Sequence, residues 1–135
     1  RLAAHTKRGT SETQKDKPSA QIRLARADTM VKTAEILIRH AIKENLRIAA
    51  EGGLGDVAFR NALRAELSYA AQLCREAVIV CCEASGTSIH YLHNPMQRYL
   101  RDIMVMTSHV IFDIDVTMEQ HGRSMLGLEP NSILV

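Results

Sequence analysis

Apolar residues recur at steps of three and four along most of this chain, which is the spacing of an amphipathic α-helix. After a polar stretch at residues 10–19, the pattern predicts a helix from an N-cap at Ser19 to about Glu51, where the segment "EGGLGD" ends it. One face of this helix carries a continuous apolar seam. The seam consists of Leu24, Ala27, Val31, Ala34, Ile38, Ala41 and Ile48, and it is widened by Met30, Leu37 and Ile42.

A second helix is predicted from a cap at Asp56 to about Ala84. Its last turns, "VIVCCEA", are apolar on nearly every side, which is typical of a helix buried between neighbours. The predicted buried face of this helix consists of Leu63, Leu67, Ala70, Cys74, Ala77 and Cys81.

A third helix is predicted to begin at Pro95 behind a cap at Asn94, because proline fits the first helical position. The apolar pattern then continues without interruption, so a single helix is expected to reach as far as Gly122. Its predicted seam consists of Met96, Leu100, Ile103, Thr107, Val110, Ile114 and Thr117.

This third helix contains His109, seven residues after Asp102, so the two would share a helix face with Val105 and Phe112. Periodicity alone fits a core histidine with a satisfied ring, and it also permits a histidine with a chemical role. On the same helix Arg98 and Asp102 are four residues apart and are expected to form an exposed ion pair.

The length of 135 residues corresponds to one domain that can bury its own core, and strand signals are nearly absent. The predicted fold is therefore all-α, an up-and-down four-helix bundle whose first helix is represented by its end at the N-terminus. Because the chain starts with Arg1 rather than methionine, we expect it to be a fragment of a longer polypeptide.

Charge, hydropathy and cysteine content exclude several kinds of partner. A net charge of +2 with mixed signs gives no basic field for nucleic acid. The longest uncharged apolar run, residues 77–82, is too short to span a membrane. Cys74, Cys81 and Cys82 are odd in number and lack C-x-x-C spacing, which favours reduced thiols and a cytoplasmic location.

The sequence gives no support to a metal site. A di-iron bundle needs Glu-x-x-His motifs on two helices, and the chain contains none. His90 and His93 have a usable spacing, but no cysteine or acidic residue beside them completes a ligand set.

The segment "SGTSIHYLHNPMQRYLRDIMVMTSH" resembles the end of the acyl-CoA dehydrogenase fold, in which a glycine-containing loop leads into Pro-x-x-Arg-x-x-Arg-Asp on the last long helix. The resemblance extends over residues 1–135 as the C-terminal helical domain. It implies that the native polypeptide also has N-terminal helical and middle β domains. The matching positions are Gly86, Pro95, Arg98, Arg101 and Asp102.

One departure from the family pattern selects a branch. Many acyl-CoA dehydrogenases carry a Glu-Gly-Thr stretch on this helix, whose carboxylate removes the substrate α-proton. The corresponding place, near Val110, holds no carboxylate, and an aliphatic side chain cannot act as a general base. With His109 beside it, this place resembles the oxygenase components of two-component flavin-dependent monooxygenases, such as hydroxyphenylacetate hydroxylases and dibenzothiophene monooxygenase.

The resemblance implies a monooxygenase reaction in the full-length protein. A separate reductase supplies reduced FMN or FAD, which O₂ converts to a C4a-hydroperoxyflavin, and one oxygen atom is transferred to an aromatic, commonly phenolic, substrate. His109 is the implied catalytic residue. It would hydrogen-bond the peroxide or the substrate oxygen, or act as an acid or base.

Four further residues are implied to contact the flavin. Gly86, Thr87 and Ser88 occupy the loop that approaches it, although one branch has an arginine at the Ser88 position, so this chain offers there a hydroxyl and backbone amides. Arg8 resembles the arginine that relatives offer to a flavin phosphate, often of a neighbouring subunit. These shared sites imply a homotetramer.

Two alternatives remain open from the sequence. An acyl-CoA dehydrogenase would take its base from elsewhere in the protein, and reduction of bound flavin by an acyl-CoA without a reductase would favour it. A non-catalytic helical oligomerisation domain would need no intact flavin site, and the serine at position 88 is compatible with that reading.

Overall fold

The computed structural model of the chain describes residues 14–132, so Arg8 lies outside the described residues. Within that range the chain forms α-helices and short 3-10 turns and has no strand, which confirms the all-α prediction. The helices are α1 (Pro18–Ala50), α2 (Val57–Ser85), α3 (Pro95–Thr107) and α4 (Ile114–Met125), and the turns are Gln14–Asp16, Gly86–His90 and Val110–Phe112.

Two of the three predicted helix caps are confirmed. The Asp56 carboxylate accepts a hydrogen bond from the backbone N–H of Phe59 at 2.7 Å. The Asn94 side chain accepts one from the N–H of Met96 at 3.1 Å. Each satisfies a donor that the first helical turn leaves without an intrahelical partner.

The cap predicted at Ser19 is wrong. Helix α1 begins two residues earlier than predicted, at Pro18, and its N-cap is Lys17, whose side chain makes no capping hydrogen bond. Proline starts the helix without such a cap because its φ angle is already helical and it has no N–H to satisfy.

Helices α1 and α2 pack through small residues. Ala27 clusters with Ala77, and His40 Nδ1 lies 2.7 Å from Glu66 Oε2, so the two helices run antiparallel. Each helix buries a series of residues spaced by seven, and the equal spacing keeps the two series in register. Short side chains allow helix backbones to approach closely. The series are Ala20, Ala27, Ala34 and Ala41 on α1, and Leu63, Ala70, Ala77 and Ala84 on α2.

Some of the larger aliphatic residues predicted for the core face of α1 are exposed, namely Leu24, Val31, Ile38 and Ile42, whereas Leu37 and Ile48 are half-buried. The predicted seam is therefore confirmed for its alanines and wrong for the four exposed residues. These four lie beside the alanine series on one side together with Leu46, which is also exposed and was not predicted in the seam. We call the five residues Leu24, Val31, Ile38, Ile42 and Leu46 the aliphatic stripe of α1.

The opposite side of α2 is covered by two helices rather than one. The prediction of a single helix from Pro95 to near Gly122 is wrong, because α3 ends at Thr107 and α4 begins at Ile114. The chain bends between them, and Val110, expected in the apolar seam, is exposed as a result.

Hydroxyl and carboxylate side chains account for this bend. The hydroxyls of Thr107 and Ser108 donate to backbone carbonyls one turn earlier, at 2.8 and 2.7 Å, which competes with the regular helix. The Asp113 carboxylate accepts from the backbone N–H groups of Asp115 and Val116 at 3.1 and 3.2 Å and so starts α4.

No helix within residues 14–132 has the length and apolar character needed to cross a membrane.

Candidate functional site

The bend between α3 and α4 carries His109. Its backbone is extended, with φ of −71° and ψ of 138°, and it precedes the turn Val110–Phe112. Its Nδ1 accepts a hydrogen bond from the backbone N–H of Ile111 at 3.2 Å. The imidazole is exposed, so the core-histidine interpretation is wrong, and so is the expectation that His109 shares a helix face with Asp102.

The capping bond fixes which imidazole nitrogen is available. In a neutral imidazole one nitrogen accepts and the other donates. Because Nδ1 of His109 accepts from Ile111, the proton of the neutral ring is on Nε2. Among residues 14–132 this Nε2–H has no hydrogen-bond acceptor, so it is available to a ligand as a donor. Protonation at Nδ1 would remove the acceptor and break the cap.

A cavity of about 350 Å³ lies between the bend and α2, and we call it the bend cavity. Its lining is largely polar, in contrast to the core. The lining residues are Gln72, Arg75, Thr107, Ser108, His109, Phe112, Asp113 and Ile114.

Helix α2 presents a polar face to the bend. Ser68, Gln72 and Arg75 follow one another at steps of four and three, which places them on one side of the helix. The buried Ser68 hydroxyl donates to the carbonyl oxygen of Ile111 at 3.4 Å. The Ile111 residue is thus tied to α2 through its carbonyl and to His109 through its N–H, which fixes the position of the imidazole relative to α2.

A second cavity, of about 450 Å³, lies where α2 ends, and we call it the turn cavity. Its walls are mostly apolar. Gly86 closes α2 with a φ of +65°, a conformation that favours glycine. The lining residues are Ile79, Cys82, Glu83, Gly86, Thr87, Ile89, His90 and Leu100.

Ser88 is engaged within the turn that follows α2. Its hydroxyl donates to the carbonyl of Ser85 at 3.0 Å, and its carbonyl accepts from the Asn94 side-chain amide at 2.7 Å. Asn94 is fully buried and also caps α3. This one asparagine therefore fixes the turn Gly86–His90 against the start of α3.

The candidate residues are divided between the two cavities. Gly86 and Thr87 line the turn cavity, and His109 lines the bend cavity. Arg75 and Cys82, one from each lining, are seven residues apart on α2, which corresponds to about 10 Å of helix. The two cavities therefore lie along one face of α2, and α3 borders the turn cavity at its middle, through Leu100, and the bend cavity at its end, through Thr107.

Burial raises the pKa of the Cys82 thiol above its ordinary value, and the neighbouring Cys81 adds to the effect. Burial likewise raises the pKa of Cys74. Both thiols are free, and a raised pKa keeps them in the unreactive protonated form at neutral pH.

Histidines 90 and 93 are exposed, and the His93 ring stacks on Tyr91 with centroids 5.7 Å apart. In the part of the chain that the structure describes, no group of three or more His, Cys, Asp or Glu side chains is placed to hold a metal ion. The predicted ion pair between Arg98 and Asp102 is present at 3.3 Å and is exposed.

Sequence reasoning missed Gln72 and Arg75, which line the bend cavity with His109. A signal for them existed in the spacing from Ser68, since these polar residues share the face of α2 opposite its alanines. The bend also had a signal, because Thr107-Ser108 followed five residues later by Asp113 combines a helix-weakening pair with a good N-cap.

Known proteins similar to this chain are hydroxylases and monooxygenases. Pigment production hydroxylase from Rhodococcus sp. is 34% identical over 112 residues, covering 83% of this chain and 28% of the relative. Indole-3-acetate monooxygenase from Pseudomonas putida is 27% identical over 115 residues, covering 85% and 29%. The oxygenase component of p-hydroxyphenylacetate 3-hydroxylase from Acinetobacter baumannii is 32% identical over 72 residues, covering 53% and 17%.

A solved structure has the same fold. XiaF from Streptomyces sp., in complex with FADH2 and glycerol, superposes with a TM-score of 0.90 at 23% identity over 97% of this chain and 33% of XiaF. The chain spans less than a third of the curated relatives it matches, whose covered shares are 28%, 29% and 17%. Residues 1–114 match the family described as "Acyl-CoA dehydrogenase, C-terminal domain". The chain belongs to this family, and its helical bundle is the predicted C-terminal domain fold.

Proposed function

We propose that this chain is the C-terminal bundle of the oxygenase component of a two-component, reduced-flavin-dependent monooxygenase. The observation that carries the proposal is the bend, where His109 offers a free Nε2–H beside a polar cavity. A dehydrogenase of this fold would instead use a carboxylate beside Val110 as its base, and residues 109–112 of this chain contain none. The relatives named hydroxylase, monooxygenase and oxygenase component support the same reaction class.

The proposed substrate is an aromatic compound. Two of the relatives carry substrate names, indole-3-acetate and p-hydroxyphenylacetate, and both compounds combine an aromatic ring with an acetate group. The polar bend cavity suits the functional groups of such a molecule. Because the chain spans under a third of these relatives, we assign the activity to a longer polypeptide that contains it.

The turn cavity fits the ring system of a flavin. Its volume of about 450 Å³ is that of a small-molecule site, and Ile79, Ile89 and Leu100 give it apolar walls for a flat ring. Gly86 brings the backbone to the cavity without a side chain, and Thr87 adds an exposed hydroxyl. Reduced FMN or FAD, delivered by a separate reductase, would supply the electrons that activate O₂.

Ser88 and Arg8 are the other two proposed flavin contacts. The Ser88 hydroxyl already donates to Ser85, so we assign Ser88 a role in shaping the turn and in approaching the flavin through its backbone. Arg8 remains the proposed partner of a flavin phosphate.

His109 would act as a hydrogen-bond donor. Its Nε2–H would bind the oxygen atom of the substrate hydroxyl, or the oxygen being transferred, and hold that atom in place. The link from Ser68 through Ile111 keeps the ring oriented before substrate arrives. A preoriented donor stabilises developing negative charge without reorganising at the moment of reaction.

We also propose that the protein is a homotetramer, with the aliphatic stripe of α1 buried in the assembly. Five large aliphatic side chains on one helix form an exposed apolar surface, which is typical of an interface between chains or domains.

The experiment that tests the proposal uses three His109 variants of the full-length protein. In His109→Asn the side-chain oxygen can still accept the Ile111 N–H, as asparagine does at N-caps, but the Nε2–H is lost. In His109→Ala both are lost. We expect both His109→Asn and His109→Ala to lower the rate of hydroxylation by about 10²-fold, the usual effect on kcat of deleting a preorganised donor. Hydroxylated product per reduced flavin should fall in both, while H₂O₂ release rises. His109→Gln, which places an amide N–H further out, should recover part of the yield.

His93→Asn is the matched control, because His93 is exposed and lines neither cavity. Its product yield should equal that of the parent. Parental yield in His109→Asn would show that His109 is only a cap of the bend. Flavin reduction by an acyl-CoA without reductase would overturn the monooxygenase assignment.

A further inference from the structure

We infer that Arg75 is an anion anchor in the bend cavity and binds the carboxylate of an aromatic acid whose ring lies next to His109. This inference rests on the proposed function, since it names the polar group of the substrate that the same cavity would hold. Arg75 and His109 line one cavity of about 350 Å³ from opposite walls, one on α2 and the other on the bend.

The guanidinium of Arg75 is not neutralised by the protein. Among residues 14–132 no carboxylate forms an ion pair with it, whereas Arg39, Arg47 and Arg98 have acidic partners. Arg64 on the same helix is likewise half-buried and has no ion pair, so the distinguishing property of Arg75 is that it lines the bend cavity. A partly desolvated cation that faces a cavity without a counter-ion favours an anionic ligand.

The acidic groups nearest to Arg75 in the chain and in the cavity are already committed. Glu76, its neighbour on α2, accepts from the Gln72 amide at 3.2 Å. Asp113, which lines the same cavity, uses one carboxylate oxygen to accept two backbone N–H groups at the start of α4. These contacts orient the two carboxylates, and neither carboxylate forms an ion pair with Arg75, although Asp113, whose second oxygen accepts neither of those two bonds, also lines the cavity. The anion that pairs with Arg75 would therefore come from the ligand.

The two walls of the cavity offer different chemistry to one molecule. Arginine presents several N–H donors in a planar fork, which matches the two oxygens of a carboxylate. His109 presents a single donor, suited to a hydroxyl oxygen. The half-buried ring of Phe112 lines the cavity with them and can pack against an aromatic ring. An aromatic acid with a ring hydroxyl has all three matching groups.

The test is equilibrium binding to the full-length protein, measured calorimetrically with and without flavin. The probes are 4-hydroxyphenylacetate and indole-3-acetate, each paired with its neutral amide. Loss of one charge-assisted hydrogen-bonded contact corresponds to roughly a ten- to hundredfold loss of affinity. We expect Arg75→Gln to weaken binding of the acids by that factor and to change binding of the amides less than about twofold.

Arg75→Lys keeps the charge without the fork and should recover part of the affinity for the acids. Arg26→Gln is the matched control: it removes one positive charge from an exposed position on α1 that lines neither cavity, and it should bind all four probes as the parent does. Far-UV circular dichroism of each variant checks that α2 is intact.

Several results would overturn the inference. Parental affinity of Arg75→Gln for the acids would do so, as would a parent protein that binds the acids no better than the amides. If Arg75→Gln instead weakens binding of reduced FMN or FAD and leaves the acids unchanged, the anion is a flavin phosphate and the substrate assignment is wrong.

Binding and turnover separate this inference from the proposed function. Arg75-dependent binding of the acids without hydroxylation would support the anchor and contradict the monooxygenase. Hydroxylation of the acids at the parental rate and KM by Arg75→Gln would support the monooxygenase and contradict the anchor.

Discussion

Helix α2 has two opposite faces that hold their neighbours in different ways. Toward α1 it presents Leu63 and three alanines spaced by seven, packed on alanines of α1 at the same spacing. Toward the bend and α4 it presents polar residues, and its contacts there include hydrogen bonds from Asn61 to Ser124 at 2.9 Å and from Ser68 to Ile111 at 3.4 Å. Both cavities lie on this second side.

The difference indicates that the two faces of α2 have different structural roles. Close packing of methyl groups leaves no space to adjust, so the first face fixes the α2 backbone. Hydrogen bonds are directional and hold particular atoms, so the second face sets the position of the bend and of His109. We call these the alanine face and the site face of α2. Substitutions on the alanine face should therefore lower mainly the free energy of unfolding. Substitutions on the site face should lower mainly the amount of hydroxylated product formed per reduced flavin.

The largest effect on stability is expected for Ala70→Leu on the alanine face. Ala70 is 0% exposed, and the added carbons would have to displace α1. Overpacking of this kind costs about 1–3 kcal/mol of unfolding free energy, measured by urea denaturation.

Ala25→Leu is the control for that substitution, since Ala25 is exposed on α1 and a leucine there meets solvent. Its unfolding free energy should lie within about 0.5 kcal/mol of the parent. Equal stability of Ala70→Leu and Ala25→Leu would contradict close packing between α1 and α2.

A smaller effect on stability, with a clear effect on chemistry, is expected for Ser68→Ala on the site face. The change removes the hydroxyl that holds the Ile111 carbonyl, at a cost of about 0.5–1.5 kcal/mol of unfolding free energy. Because Ile111 also donates to His109, the bend should loosen. We expect product per reduced flavin to fall several-fold in Ser68→Ala.

The same yield should not change in Ala25→Leu, which provides the comparison within one assay. A Ser68→Ala protein with reduced stability but parental yield would show that the bend keeps His109 in place without the α2 hydroxyl. The role assigned to the site face of α2, which is to position the bend and His109, would then be wrong.

The sequence predicted the alanine face and did not predict the site face, although local signals for parts of the site face were present. Ala27, Ala34, Ala70 and Ala77 recur with helical period, and such a pattern depends only on local geometry. The pattern did not distinguish the buried alanines from the exposed aliphatic stripe of α1, because the two sets are adjacent on the helix and only the partner decides which is covered.

The site face depends on contacts between residues far apart in the chain. Periodicity placed His109 on a helix because it counted apolar residues and gave no weight to the hydroxyls of Thr107 and Ser108 or to the cap at Asp113. Buried polar residues such as Asn61 and Gln120 resemble surface residues in the sequence, and their partners lie elsewhere in the chain. Arg75 was missed for the same reason, since its significance comes from a bend more than thirty residues later.

The smallest effect concerns the reactivity of Cys82, which lines the turn cavity. Burial raises the pKa of this thiol, so less thiolate is present at neutral pH than in a free cysteine. Alkylation by iodoacetamide, followed by mass spectrometry of the peptide, should be slower than for a model thiol at pH 7.5 and should accelerate as the pH rises past the ordinary thiol pKa of about 8.5.

If the turn cavity holds the flavin ring, added FMN or FAD should slow the reaction further, while Cys74, which does not line this cavity, keeps its own rate. Equal slowing of alkylation at both cysteines would indicate that flavin tightens the whole bundle. If flavin does not slow alkylation of Cys82, the flavin ring binds outside the turn cavity, and the bend cavity is then the one ligand site proposed on the site face.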